Sequence, residues 1–66
     1  MGNLKISLKA ARVNAKLSTK QAAEAIGVTD RTLRNWEKEK TYPSTDYIKK
    51  IEEAYNISIA NIRFSS

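Results

Sequence analysis

Residues 17–38 read LSTKQAAEAIGVTDRTLRNWEK, and the stop and start signals inside this stretch decide the fold. Ser18 stands three residues ahead of Gln21. In a capping box of this kind the serine side chain accepts an orphan helix amide and the glutamine side chain accepts the serine's own. A helix over about 19–26 follows, with Ala22, Ala23 and Ile26 on its inner face. Gly27 ends it, because glycine enters the left-handed conformation after a helix at least cost. Only Gly27, Val28 and Thr29 stand before the next helix, which Thr29 caps and which runs over about 30–38. Leu33 and Trp36, three residues apart, form its apolar side. Asp30 in its first turn suits the positive end of the helix dipole and pairs with Arg34 four residues on.

Working outward, Ser7 caps a first helix over about 8–15, with Leu8, Ala11, Arg12 and Ala15 on one face. Tyr42, Pro43 and Ser44 end the loop after the third helix. Ser44 caps a fourth, about 45–55, whose stripe is Ile48, Ile51, Ala54 and Tyr55. Asn56 and Ser58 make one more break, and a last short helix is expected over 59–63. Leu4, Lys5 and Ile6 alternate with period two over too few residues to decide anything. The expected architecture is all-α, a compact five-helix bundle occupying residues 1–66 as one domain.

Composition narrows the chemistry. A chain of 66 residues has one small core. It contains neither cysteine nor histidine, which removes disulfides, thiolate metal sites and the commonest general base. Seven acids alone supply no nucleophile, base and orienting group, so neither an enzyme, a metal site nor a cofactor is expected. No signal peptide or membrane-spanning run is visible, and a reducing, cytoplasmic setting fits. The net charge of +5 is unevenly spread: residues 1–41 hold nine Lys/Arg against four acids, and residues 42–66 hold three of each. Charge alone is consistent with a face that meets a polyanion or with a generically soluble basic surface.

Two short helices joined by a tight glycine turn form the helix-turn-helix plan. In that plan the second of the two lies in the DNA major groove, about 12 Å wide, and presents long polar side chains to base edges. Asp30, Arg31, Arg34, Asn35 and Lys38 lie off the apolar side of the third helix. Arginine can fork onto guanine and asparagine onto adenine. The spacing of Trp36 with Leu33 favours core packing over base stacking, and Tyr47 and Tyr55 are expected partly buried on the fourth helix. Lys49 and Lys50, answered by Glu52 and Glu53, read as a solvated face with internal pairing. Ile57, Ile59, Ile62 and Phe64 are more apolar side chains than a short tail hides, so some complete the core and the rest offer a dimer contact.

With these residues in place, Leu17 to Thr29, Thr32-Leu33, Trp36-Glu37 and Tyr42-Pro43-Ser44 together resemble the Cro and lambda-repressor type of helix-turn-helix domain, over about Leu8 to Phe64. The resemblance implies a five-helix bundle, a homodimer on a pseudo-palindromic double-stranded DNA operator, and a transcriptional regulator of phage, plasmid or bacterial genes. Carried over by position, it implies base readout by Thr29, Asp30, Arg31, Arg34 and Asn35. Lys16, Thr19, Lys38, Lys40, Thr41 and Tyr42 would hold the DNA backbone. Arg12 and Glu37 match a structural ion pair tying the first helix to the end of the third. Two positions depart from the family pattern: Thr19, where glutamine is usual, shortens the reach there, and Glu39, where glycine is usual, predicts a third helix that runs on or ends differently. The competing reading is a protein-interaction module, antitoxin-like or an adaptor, that uses the same fold to grip a protein.

Overall fold

Each helix begins where a serine or threonine side chain stands ready to satisfy its first amides. The computed structural model describes residues 5–63. In chain order it contains strand β1 (Ile6–Ser7), helices α1 (Leu8–Asn14), α2 (Thr19–Ile26), α3 (Asp30–Glu37) and α4 (Thr45–Tyr55), a 3-10 turn (Ile59–Asn61) and strand β2 (Ile62–Arg63). Ser7 Oγ accepts from the Ala10 amide at 3.1 Å, starting α1. Ser44 sits at the cap of α4 in extended geometry but makes no side-chain cap bond.

The four helices also end alike. Lys16, Gly27, Glu39 and Asn56 all have positive φ, at 63°, 93°, 61° and 52°. In each case the next amide folds back onto a carbonyl of the last turn: Leu17 to Arg12, Val28 to Ala23, Lys40 to Asn35 and Ile57 to Glu52. This closure satisfies carbonyls that the helix leaves orphaned. Glu39 therefore occupies the conformation a glycine would take, and α3 stops at Glu37 rather than running on.

The fifth helix expected over 59–63 is not formed; four α-helices are followed by a single 3-10 turn and an extended strand. β2 pairs in parallel with β1, matching Ile6 to Ile62 and Ser7 to Arg63. The physical reasons are local and non-local together. Five residues with β-branched Ile59 and Ile62 are too few to offset helix nucleation. The Glu52 carboxylate accepts the Ile59 amide at 2.7 Å, and Ser58 Oγ accepts the Ala60 amide at 3.3 Å, which sets one turn only. The strand edge at Ile6 then satisfies the backbone beyond it.

The core is made by Leu8, Ala11, Ala22, Ala23, Ile26, Leu33, Trp36, Ile51, Tyr55 and Ile62. Alanines at 22 and 23 let α2 approach its neighbours closely, while Ile26, Leu33 and Ile51 fill the centre completely. Fully burying a side chain of that size contributes about 1.5–3 kcal/mol. Ile62, 3% exposed, belongs to this core and presents no side-chain surface for the dimer contact expected of it. Ile57 and Ile59 are half-buried against it, and Phe64 lies outside the described residues. Among the described residues no helix is long and apolar enough to cross a membrane.

Candidate nucleic-acid interface

α2, the Gly27 turn and α3 form one unit whose geometry is set by side-chain caps. Ser18 Oγ accepts from the Gln21 amide at 3.1 Å, and the Ser18 amide donates to Gln21 Oε1 at 3.0 Å. Thr29 Oγ1 accepts the Thr32 amide at 3.1 Å and donates to Thr32 Oγ1 at 2.9 Å. The Thr29 hydroxyl is thus engaged in starting α3.

α3 divides cleanly into two sides. Leu33 is 0% and Trp36 6% exposed, whereas Arg31, Arg34 and Lys38 are exposed and Asn35 is half-buried. Asp30 is half-buried, and its Oδ2 forms an ion pair with Arg34 Nε at 2.9 Å. Behind α3, the Trp36 and Tyr47 rings tilt at 51° with centroids 5.6 Å apart. Lys50 Nζ lies 5.8 Å from the centre of the Tyr47 ring. Lys50 and Glu52 are therefore occupied by Tyr47 and by the Ile59 amide, not by the pairing expected along the face of α4. The aromatic–cation stack went unread in the sequence, although Tyr47 and Lys50 at i, i+3 spacing are compatible with it.

A buried ion pair locks α3 to the start of the chain. Arg12 Nε donates to Glu37 Oε2 at 2.7 Å, Arg12 Nη2 reaches Glu37 Oε1 at 3.4 Å, and Nη1 donates to the Leu17 carbonyl at 2.9 Å. The bond to Glu37 raises the Arg12 pKa against the opposing effect of burial. Next to this pair, burial pushes the Tyr55 hydroxyl up to about 12, with the Glu37 charge adding in the same direction. That hydroxyl is covered and has no hydrogen-bond partner among the described residues.

The remaining cationic and polar candidates flank the unit. Lys16 is exposed in the left-handed residue after α1, and Thr19, half-buried, opens α2. Lys38, Lys40, Thr41 and Tyr42 are exposed where the chain leaves α3, and the Tyr42 ring is 54% exposed. The left-handed turn at Glu39 places Lys40 immediately after the helix end, its amide bonded to the Asn35 carbonyl at 2.9 Å.

The family described as Helix-turn-helix matches residues 8–62. The chain belongs to this helix-turn-helix family. It is also similar to the HTH-type transcriptional regulator ImmR of Bacillus subtilis (strain 168), at 37% identity over 51 residues. That match takes in 77% of this chain and 40% of the relative, so the helix-turn-helix chain spans less than half the length of that regulator. No solved structure matches it.

Proposed function

We propose that this helix-turn-helix chain binds double-stranded DNA sequence-specifically and regulates transcription, with α3 in the major groove. One observation carries the reading: α3 buries Leu33 and Trp36 while leaving Arg31 and Arg34 exposed on the opposite side. Arg31, Arg34 and Asn35 read base edges, with Thr29 and Asp30 at the end of α3 that enters the groove. Lys16, Thr19, Lys38, Lys40, Thr41 and Tyr42 hold phosphates on either side. Family membership and the similarity to a transcriptional regulator support the same assignment. The active species is a cytoplasmic homodimer on a pseudo-palindromic operator, with half-buried Ile57 and Ile59 in the contact together with Phe64, five residues beyond Ile59. Catalysis and a cofactor have no part in it.

Selection of bound sites from random DNA tests this directly. A consensus with two related half-sites is expected, and recovery of unrelated sequences would remove the assignment. On the selected site, log K should fall with log salt by about 0.9 for each phosphate contacted. Arg31→Ala should lose about 1–3 kcal/mol of discrimination at one base pair, whereas Lys40→Ala should weaken all duplexes alike.

A further inference from the structure

Asp30 is the one acid on α3 that is not held by the scaffold, since Glu37 is taken up by Arg12. Its placement is costly for a helix meant to approach phosphates, because a carboxylate there repels them. The two oxygens are also not free. Oδ2 lies 2.9 Å from Arg34 Nε in an ion pair, and Oδ1 is covered and has no hydrogen-bond partner among the described residues. A carboxylate so placed has no oxygen to offer an amino group on a base edge.

What the pair does offer is orientation. A guanidinium carries five N–H donors in a rigid plane. An ion pair on the Nε side restrains that plane and leaves the terminal Nη pair to fork onto guanine O6 and N7. The Arg34 side chain is 61% exposed and the Asp30 side chain 37%, so in water the pair adds little to stability. Its contribution is to remove rotamers from a long side chain before binding rather than during it.

Resting on the DNA-binding reading above, we propose that Asp30 is a positioning residue that presets Arg34 for one guanine and makes no base contact of its own. The arrangement trades general affinity for discrimination: the carboxylate weakens attraction to any duplex and sharpens the choice at the base pair Arg34 meets. A purely structural role would move both quantities in the same direction.

The test uses fluorescence anisotropy with three duplexes: the selected operator, the operator altered at the base pair where Arg34→Ala loses discrimination, and a scrambled sequence. Asp30→Ala is expected to lower the operator-to-altered ratio about five- to tenfold while tightening binding to the scrambled duplex. On the Arg34→Ala background the same substitution should change the ratio by less than about twofold, since coupled residues share one effect. Asp30→Glu, which keeps an i, i+4 pair with arginine, should restore the ratio to within about threefold of the parent. Circular dichroism should show the parent's helix content in each variant, and a loss of helix in Asp30→Ala would assign the residue to the fold and overturn the proposal. An unchanged ratio in Asp30→Ala overturns it too, as does failure of Asp30→Glu to restore the ratio. A loss of discrimination at a different base pair on the Arg34→Ala background would show direct readout by Asp30. A parent that prefers no sequence at all defeats the DNA-binding reading itself, a result distinct from every outcome at Asp30.

Discussion

Tyr55 carries a hydroxyl into the core that no described residue bonds, beside the Arg12–Glu37 pair. Removing an unpartnered buried hydroxyl recovers its desolvation cost, so Tyr55→Phe should stabilise the fold by about 1 kcal/mol. In a chain of this size that raises the melting temperature by about 4–8 °C. The pH dependence has a definite sign. The folded-state pKa of Tyr55, about 12, lies above its ordinary value of 10.0, so the folded state keeps the proton longer. Fold stability is therefore independent of this group below pH 10 and falls by about 2 kcal/mol as the pH rises from about 10 to 12, where the unfolded chain gives up the proton first. Thermal melts between those values should fall more steeply in the parent than in Tyr55→Phe. The neighbouring ion pair behaves differently, because its side chains are only 11% and 8% exposed. Glu37→Ala leaves a buried guanidinium uncompensated and should cost about 3–5 kcal/mol, whereas Arg12→Met with Glu37→Leu should recover much of that loss in chemical denaturation.

At the scale of elements, what was legible was whatever has a local signal. The capping box at Ser18 and Gln21, the glycine at 27 and the cap at Thr29 all act within one turn, so α2, the turn and α3 could be read from the chain alone. The helix ends at Lys16, Glu39 and Asn56 are closed by the same backbone geometry without glycine; asparagine enters that region readily and marks a break, whereas lysine and glutamate do not announce it. The C-terminal strand was illegible for another reason: its partner, Ile6–Ser7, lies at the opposite end of the chain. The two faces of α3 followed from periodicity, while the stack of Tyr47 and Lys50 behind it depends on tertiary packing. The non-glycine helix ends give an element-level prediction. Glycine removes a left-handed penalty of about 1 kcal/mol, so Lys16→Gly and Glu39→Gly should each raise the melting temperature. Their effects on DNA should diverge. Glu39→Gly removes a carboxylate beside the proposed phosphate contacts and should tighten binding to every duplex, whereas Lys16→Gly removes a cation and should weaken it. Parallel shifts in both variants would show that neither side chain lies near the DNA.

The whole molecule is 36 Å along its longest axis, but the proposed reading places only α3, eight residues long, in the groove. At 1.5 Å rise per residue that helix is about 12 Å long, and at 3.4 Å per base pair it faces about four base pairs. Four base pairs recur far too often in a genome to mark one site, so the proposed regulatory role calls for two copies reading together. In the proposed two-fold dimer the second α3 would lie one helical turn away, about 34–36 Å along the duplex. The binding free energy then depends on both half-sites facing the same side of the DNA. Inserting about five base pairs between them turns one half-site to the far side, and affinity should drop to that of a single half-site, on the order of a hundredfold. Inserting about ten restores the facing but exceeds the span of a dimer held through Ile57 and Ile59, so affinity should stay low. Recovery at ten would show copies coupled through a contact long enough to reach two helical turns, and insensitivity to either insertion, measured by gel shift on the selected operator, would rule out paired reading altogether.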